Sequence, residues 1–293
     1  MKFKVFSKIR FFFLIYSVMI FSACHDSDKI EPEYGERTVL IYMAADNNLN
    51  KDGETNIKSI LKGMEQTAGR LVIYIDPRYD VPRLLTVKGG KGCRLDTLET
   101  YTEENSASPE VLARGVKEVQ KRYPASSYGL VLWSHGLGWV PPEYSFPGGY
   151  AMRLPDPDMP RTKYYAEDEH PGTTGKAYMD IREMAARLPG HFNFILWDVC
   201  FMGGIEVAYE LRNKTDYMIA SPAEVISYGF PYEKMMPLLW GGEEAMKQIC
   251  REYYNHYNKY PVNSLWRSAV VGLVKTEELE PLAAKEGPLL AGK

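Results

Sequence analysis

Leu130-Val131-Leu132-Trp133-Ser134-His135-Gly136 and Phe194-Ile195-Leu196-Trp197-Asp198-Val199-Cys200 are short apolar runs, each ending on a residue that can do chemistry. Buried runs of this kind belong to parallel sheets covered by helices on both faces. In such sheets functional groups gather just beyond the carboxyl ends of the strands. His135 and Cys200 lie 65 positions apart, yet two strands can bring them together. A cysteine nucleophile and its base need that arrangement.

Working outward, Thr38-Val39-Leu40-Ile41-Tyr42-Met43 reads as a first strand, with Asp46 and Asn47 offering caps for a helix to about Gln66. Leu71 to Asp76 is the next strand, stopped by Pro77. Arg83–Val87 and Cys93–Leu98 suit an antiparallel pair around Gly89, Gly90 and Gly92. Ser108-Pro109-Glu110 opens a helix with Val111, Leu112, Val116 and Val119 inward. From about 140 to 176 prolines, glycines and the basic Arg153, Arg161, Lys163 and Lys176 replace any apolar period, so a long surface excursion is expected. Beyond it come a helix over Tyr178–Leu188, the Cys200 strand, a helix from about Met202 to Arg212 and a strand at Tyr217–Ala220. Two helices after Pro231, a strand near Ala269–Val274 and a helix near Glu277–Ala284 follow. Strands alternating with helices predict an α/β layered sheet.

Lys2, Lys4, Lys8 and Arg10 precede an apolar Phe11–Phe21 run, then Ser22-Ala23 and Cys24. That order is an export signal over residues 1–23, with Cys24 placed as in a bacterial lipobox for lipidation. Its removal takes away four cations and no acid, moving the net charge from −3 to about −7 and arguing against nucleic acid as a partner. Residues 24–36 are acidic and suit a tether, leaving 37–293 as one domain. Besides Cys24 only Cys93, Cys200 and Cys250 remain, too few for a disulfide-stapled scaffold. One pair could form, with Cys200 the thiol left over.

Cys200 is expected between a strand and a helix opening on Gly203-Gly204, where helix N–H groups favour a thiolate. The N–H groups of Gly136 and Cys200 are candidates to hold an oxyanion. His25, His170, His191 and His256 lack such a setting and read as structural. Asp198, two residues before Cys200, shares its strand face. An acid there can floor a pocket for a cationic side chain, or serve a salt bridge or a cap.

Thr38 to Leu49 resembles the opening strand and turn of the clostripain family of cysteine peptidases. Ser134-His135-Gly136-Leu137-Gly138-Trp139 is similar to its histidine motif, and the run from Asp198 to Leu211 to its nucleophile motif. The resemblance covers everything from Arg37 onward and implies a caspase-like α/β/α sandwich with a mostly parallel sheet. It also implies cleavage after Arg or Lys, with His135 and Cys200 catalytic and Asp198 reading the basic side chain. Family members can be cut between histidine and cysteine, and the basic residues of the excursion are suitable targets. Calcium dependence occurs in the family, but no acidic loop here has metal-ligand spacing, and the chemistry needs no cofactor.

Two departures stand out. After Ala220 the family carries acidic residues, whereas here only Glu224 offers a carboxylate to the substrate wall. Family members also often continue beyond the point where this sequence stops. The sequence therefore predicts a lipid-anchored, extracytoplasmic peptidase acting on proteins or peptides. A catalytically inactive binding lipoprotein of the same fold is the alternative, and the lack of Cys-x-x-Cys speaks against a thiol redox protein.

Overall fold

The strands form where apolar, β-branched and aromatic residues run uninterrupted. In the computed structural model, residues 35–138, 166–169 and 177–291 are described, with side chains as far as residue 285. All of these belong to one compact unit, Glu33–Lys293. Eight strands make one sheet: β1 (Gly35–Ala45), β2 (Arg70–Pro77), β3 (Arg83–Lys88), β4 (Arg94–Thr100), β5 (Ala125–Trp133), β6 (Phe192–Asp198), β7 (Thr215–Ala220) and β8 (Gly272–Lys275). Their order is β4-β3-β2-β1-β5-β6-β7-β8. The five central strands β2, β1, β5, β6 and β7 are parallel. β3, β4 and β8 add antiparallel edges.

Among the described residues seven α-helices cover the two faces: α1 (Asn50–Met64), α2 (Pro109–Arg122), α3 (Ile181–Arg187), α4 (Ile205–Glu210), α5 (Tyr232–Met235), α6 (Glu243–Asn258) and α7 (Leu279–Ala291). Alternation along the strands sorts the core. Leu40, Tyr42, Leu130, Leu132 and Trp197 pack beneath Leu112 and Val116 of α2, Met184 of α3 and Val207 of α4. Val39, Ile41, Val131, Trp133 and Leu196 pack against Ile60 of α1, Met235 of α5 and Ile249 of α6. At about 1.5–3 kcal/mol for each fully buried large aliphatic side chain, these two layers commit β1 and β5 to the centre. The α/β/α expectation holds.

Four local expectations change. Asp46 and Asn47 do not cap α1, which begins at Asn50 with no side-chain cap. Asn47 instead builds the preceding turn. The helix expected from Tyr178 starts at Ile181, where the Asp180 carboxylate accepts from the backbone N–H groups of Arg182 and Glu183. The helix expected from Met202 starts at Ile205, because residues 201 and 203 bond to another loop. The last strand, β8, starts three residues later than expected and ends one residue later. The export signal, Cys24, most of the tether and most of the 140–176 excursion lie outside the described residues.

Candidate active site

Register brings the two decisive runs level. β5 and β6 are adjacent and parallel, with Trp133 opposite Asp198. Two further residues along each chain are His135 and Cys200, at the same rim of two strands about 4.8 Å apart. The loops beyond them abut. Gly138 has φ +66, and a Cβ there would lie 2.5 Å from the Phe201 carbonyl oxygen. Only glycine allows both that backbone and that approach. The end of β5 is pinned from below, since Ser134 Oγ donates to the Ala44 carbonyl at 2.8 Å and Trp133 Nε1 donates to Asn56 Oδ1 at 2.7 Å.

His135 is buried, 2% exposed, and its Nε2 lies 2.6 Å from Asn48 Oδ1. Asn48 itself is exposed, in the turn between β1 and α1. Buried Asn47 shapes this turn: its Nδ2 donates to the carbonyls of Ala44 (3.0 Å) and Glu167 (2.8 Å), and its Oδ1 accepts from the Leu49 N–H at 2.9 Å. The Asp46 carbonyl accepts from the Glu169 N–H at 2.8 Å. Part of the expected surface excursion is thus packed in. Ala166, Glu167 and Asp168 are buried. Asp168 Oδ2 accepts from the Ser106 N–H at 2.7 Å and hydroxyl at 3.1 Å, and Glu169 pairs with Arg78 at 2.6 Å. Gly136, the other oxyanion candidate, is buried beside His135.

Cys200 is fully buried. The Val225 N–H donates to its sulfur at 3.2 Å, and the thiol reaches the Val225 carbonyl at 3.7 Å. The Phe201 N–H donates to the Ala223 carbonyl and the Gly203 N–H to that of Ser221. The turn after β6 therefore pairs with residues 221–225. The helix expected to open on Gly203-Gly204 has Gly204 as its N-cap, and the N–H that reaches the sulfur comes from Val225 of the facing loop. That loop is anchored where Tyr257 donates to the Gly229 carbonyl at 2.6 Å and Asn56 Nδ2 to that of Tyr228 at 3.0 Å. Val225 and Ile226 of this loop are buried, while Glu224 is exposed.

Asp198 ends β6, fully buried, and its Oδ2 accepts from the Tyr232 hydroxyl at 2.8 Å. Burial first, then Asp198, pushes the Tyr232 hydroxyl well above its ordinary value. Burial, then nearby Asp198 and Cys200, does the same to Tyr253 of α6. Tyr232 and Tyr253 belong to the same core layer as Leu196 of β6, the layer toward which Asp198, two residues further along the strand, also turns. The chemistry available there is a nucleophile, a base at the same rim and a buried acid behind them.

Among the described residues no group of three or more His, Cys, Asp or Glu is placed to hold a metal ion. Asp46 and Asp76 are buried at the carboxyl ends of β1 and β2, and Asp168 is buried as well. Burial, helped by Glu103, Asp168 and Asp46, pushes the Asp76 carboxyl up to about 8. No disulfide joins Cys93, Cys200 and Cys250. Sequence reasoning gave Asn48 no role, although its place beyond β1, the neighbour of β5, was a usable signal.

A family model described as Peptidase_C11, the clostripain family, matches residues 41–290. Clostripain of Hathewaya histolytica is 25% identical over 235 residues, which is 70% of this chain and 42% of that protein. The chain thus spans less than half the length of that relative. A solved structure of a secreted C11 cysteine protease from Bacteroides thetaiotaomicron, in complex with an irreversible peptide inhibitor, has a TM-score of 0.72 and 33% identity, covering 86% of this chain and 69% of the other. An inactive zymogen C11 protease from Parabacteroides distasonis has a TM-score of 0.69 and 36% identity, covering 86% and 65%.

Proposed function

The chain belongs to the clostripain family, and from that premise we propose that it is a cysteine endopeptidase cleaving after Arg or Lys. The register that levels His135 with Cys200 carries this reading. In the reaction the Cys200 sulfur, its proton passed to His135, attacks the scissile carbonyl carbon. The N–H groups of Gly136 and Cys200 receive the oxyanion. His135 returns the proton to the leaving amine, and water attacking the thioester frees the acid and the thiol. Asp198 pairs with the basic side chain in a low-dielectric compartment, where a guanidinium suits it well. Glu224 adds charge at the rim.

The buried thiol supports a latent conformation, in which peptide reaches Cys200 only after the chain that covers it yields. Cleavage between His135 and Cys200 at Arg153, Arg161, Lys163 or Lys176 is the proposed trigger, in keeping with the zymogen form of the Parabacteroides relative. Export by residues 1–23 and a lipid anchor at Cys24 place the enzyme outside the cytoplasm, as for the secreted Bacteroides relative.

An arginyl acyloxymethyl ketone probe tests the activity. Labelling of wild type but not Cys200→Ala is expected; equal labelling of both, or of neither, sinks the reading. Burial of the thiol is what the binding-lipoprotein alternative would lead one to expect, and a wild type that stays unlabelled would favour it. For specificity, Asp198→Ala should lose activity on arginyl substrates far more than on neutral ones. An unchanged preference removes Asp198 from that role.

A further inference from the structure

We propose that Asn48 is a positioning residue for the imidazole of His135, an inference that rests on the peptidase reading above. His135 Nε2 lies 2.6 Å from Asn48 Oδ1. With the amide oxygen as acceptor, Nε2 carries the proton, and the basic nitrogen of that tautomer is Nδ1. Asn48 thus selects which ring nitrogen takes the thiol's proton. When the ring becomes an imidazolium, the same bond becomes charge-assisted and strengthens. The contact therefore favours the state formed when Cys200 gives up its proton.

The surroundings support a dedicated role. Asn48 is exposed and caps no helix, since α1 starts at Asn50 with no side-chain cap. Burial gives it nothing to do. The turn that carries it is nevertheless held by the three bonds of Asn47 and by the Glu169 N–H on the Asp46 carbonyl. A rigid turn presenting an exposed amide to a buried histidine is an orienting device, because a supported partner holds the ring within the narrow geometry that proton transfer demands. Two of the holding groups, Glu167 and Glu169, come from the segment between His135 and Cys200. The orientation of the histidine is thereby tied to the docking of that segment.

The test is steady-state kinetics with an arginyl peptide substrate, together with thermal melts, on self-cleaved wild type, Asn48→Leu, Asn48→Asp and His135→Ala. Asn48→Leu keeps the side-chain size and loses the acceptor. It should lose on the order of tenfold or more in kcat, a share of what general acid–base catalysis supplies, with KM and Tm little changed. Asn48→Asp keeps an acceptor oxygen and should recover most of the loss. Wild-type kcat in Asn48→Leu, beside an inactive His135→Ala, overturns the role of Asn48 alone. A loss that Asn48→Asp does not recover marks a steric effect and overturns it equally. An inactive wild type, or a fully active His135→Ala, sinks the peptidase reading and this inference with it.

Discussion

Asp76 and Asp198 are acids sealed at the ends of parallel strands, and their neighbours give them different uses. Asp198 has a hydroxyl donor in Tyr232. Replacing Tyr232 by Phe should cost about 1–3 kcal/mol, because a buried acceptor loses a donor; urea unfolding measures it, and an unchanged midpoint would contradict the bond's importance. Asp76 is surrounded by other acids, and burial pushes its carboxyl from 3.8 up to about 8. Between those values the folded state holds a proton that the unfolded chain has released. Stability from this group is thus fully present below pH 3.8 and is lost as the pH rises toward 8. Asp76→Asn should therefore gain stability relative to wild type on going from pH 5 to pH 8, by on the order of 1–3 kcal/mol. A constant difference across that range would show that Asp76 is ionised throughout. The place of Asp198 at the buried end of a strand was legible in the sequence, because the apolar run from Phe194 leads straight to it. Asp76 and Asn48 were not, since their roles depend on neighbours from chain segments far away.

Among elements, the strands were legible and the helix starts were not. An apolar run such as Leu130–Trp133 has no competing way to bury itself, so β5 and β6 fall where the pattern puts them. Helix starts are decided by which partner wins each backbone N–H. Ser108 does cap α2, accepting from the N–H groups of Glu110 and Val111, as its Pro-Glu sequel suggested. Asn47 and Met202 looked equally suitable. Tertiary bonds to Glu167 and to the 221–223 segment take those positions instead. The histidine and cysteine loops show the same dependence on contact at Gly138. A Cβ there meets the Phe201 carbonyl, and φ +66 strains any L side chain. Gly138→Ala should push the loops apart, lower the melting temperature through that strain, and lower kcat/KM by on the order of a hundredfold at temperatures where the variant is folded. Wild-type kinetics in that variant would show that the loop contact does not set the distance between base and nucleophile.

At the scale of the molecule, the proposed cut passes between the two halves of the site, and topology decides whether the halves stay together. Residues up to β5 carry the sheet half β4-β3-β2-β1-β5 with His135; residues from β6 carry β6-β7-β8 with Cys200. The seam is a continuous parallel pairing from Gly129 opposite Phe194 to Trp133 opposite Asp198. It is reinforced from outside the sheet. Arg37 donates to the Leu239 and Gly241 carbonyls, Trp240 Nε1 donates back to the Arg37 carbonyl, and Lys62 pairs with Glu233. A cut at Arg153, Arg161 or Lys163 also leaves Ala166–Glu169 covalently on the Cys200 half while it stays bonded to Asp46 and Asn47 of the other. Neither half can cover its face of the seam alone, so separating them would expose core side chains from both helical layers. The two fragments should therefore co-elute at the mass of the intact domain on size exclusion in native buffer, and resolve as two bands only in SDS. Cys200→Ala should give a single band in both. Fragments that part in native buffer would mean that the sheet does not hold the histidine and the cysteine in one site after cleavage, and the proposed trigger would then destroy the enzyme it is meant to switch on.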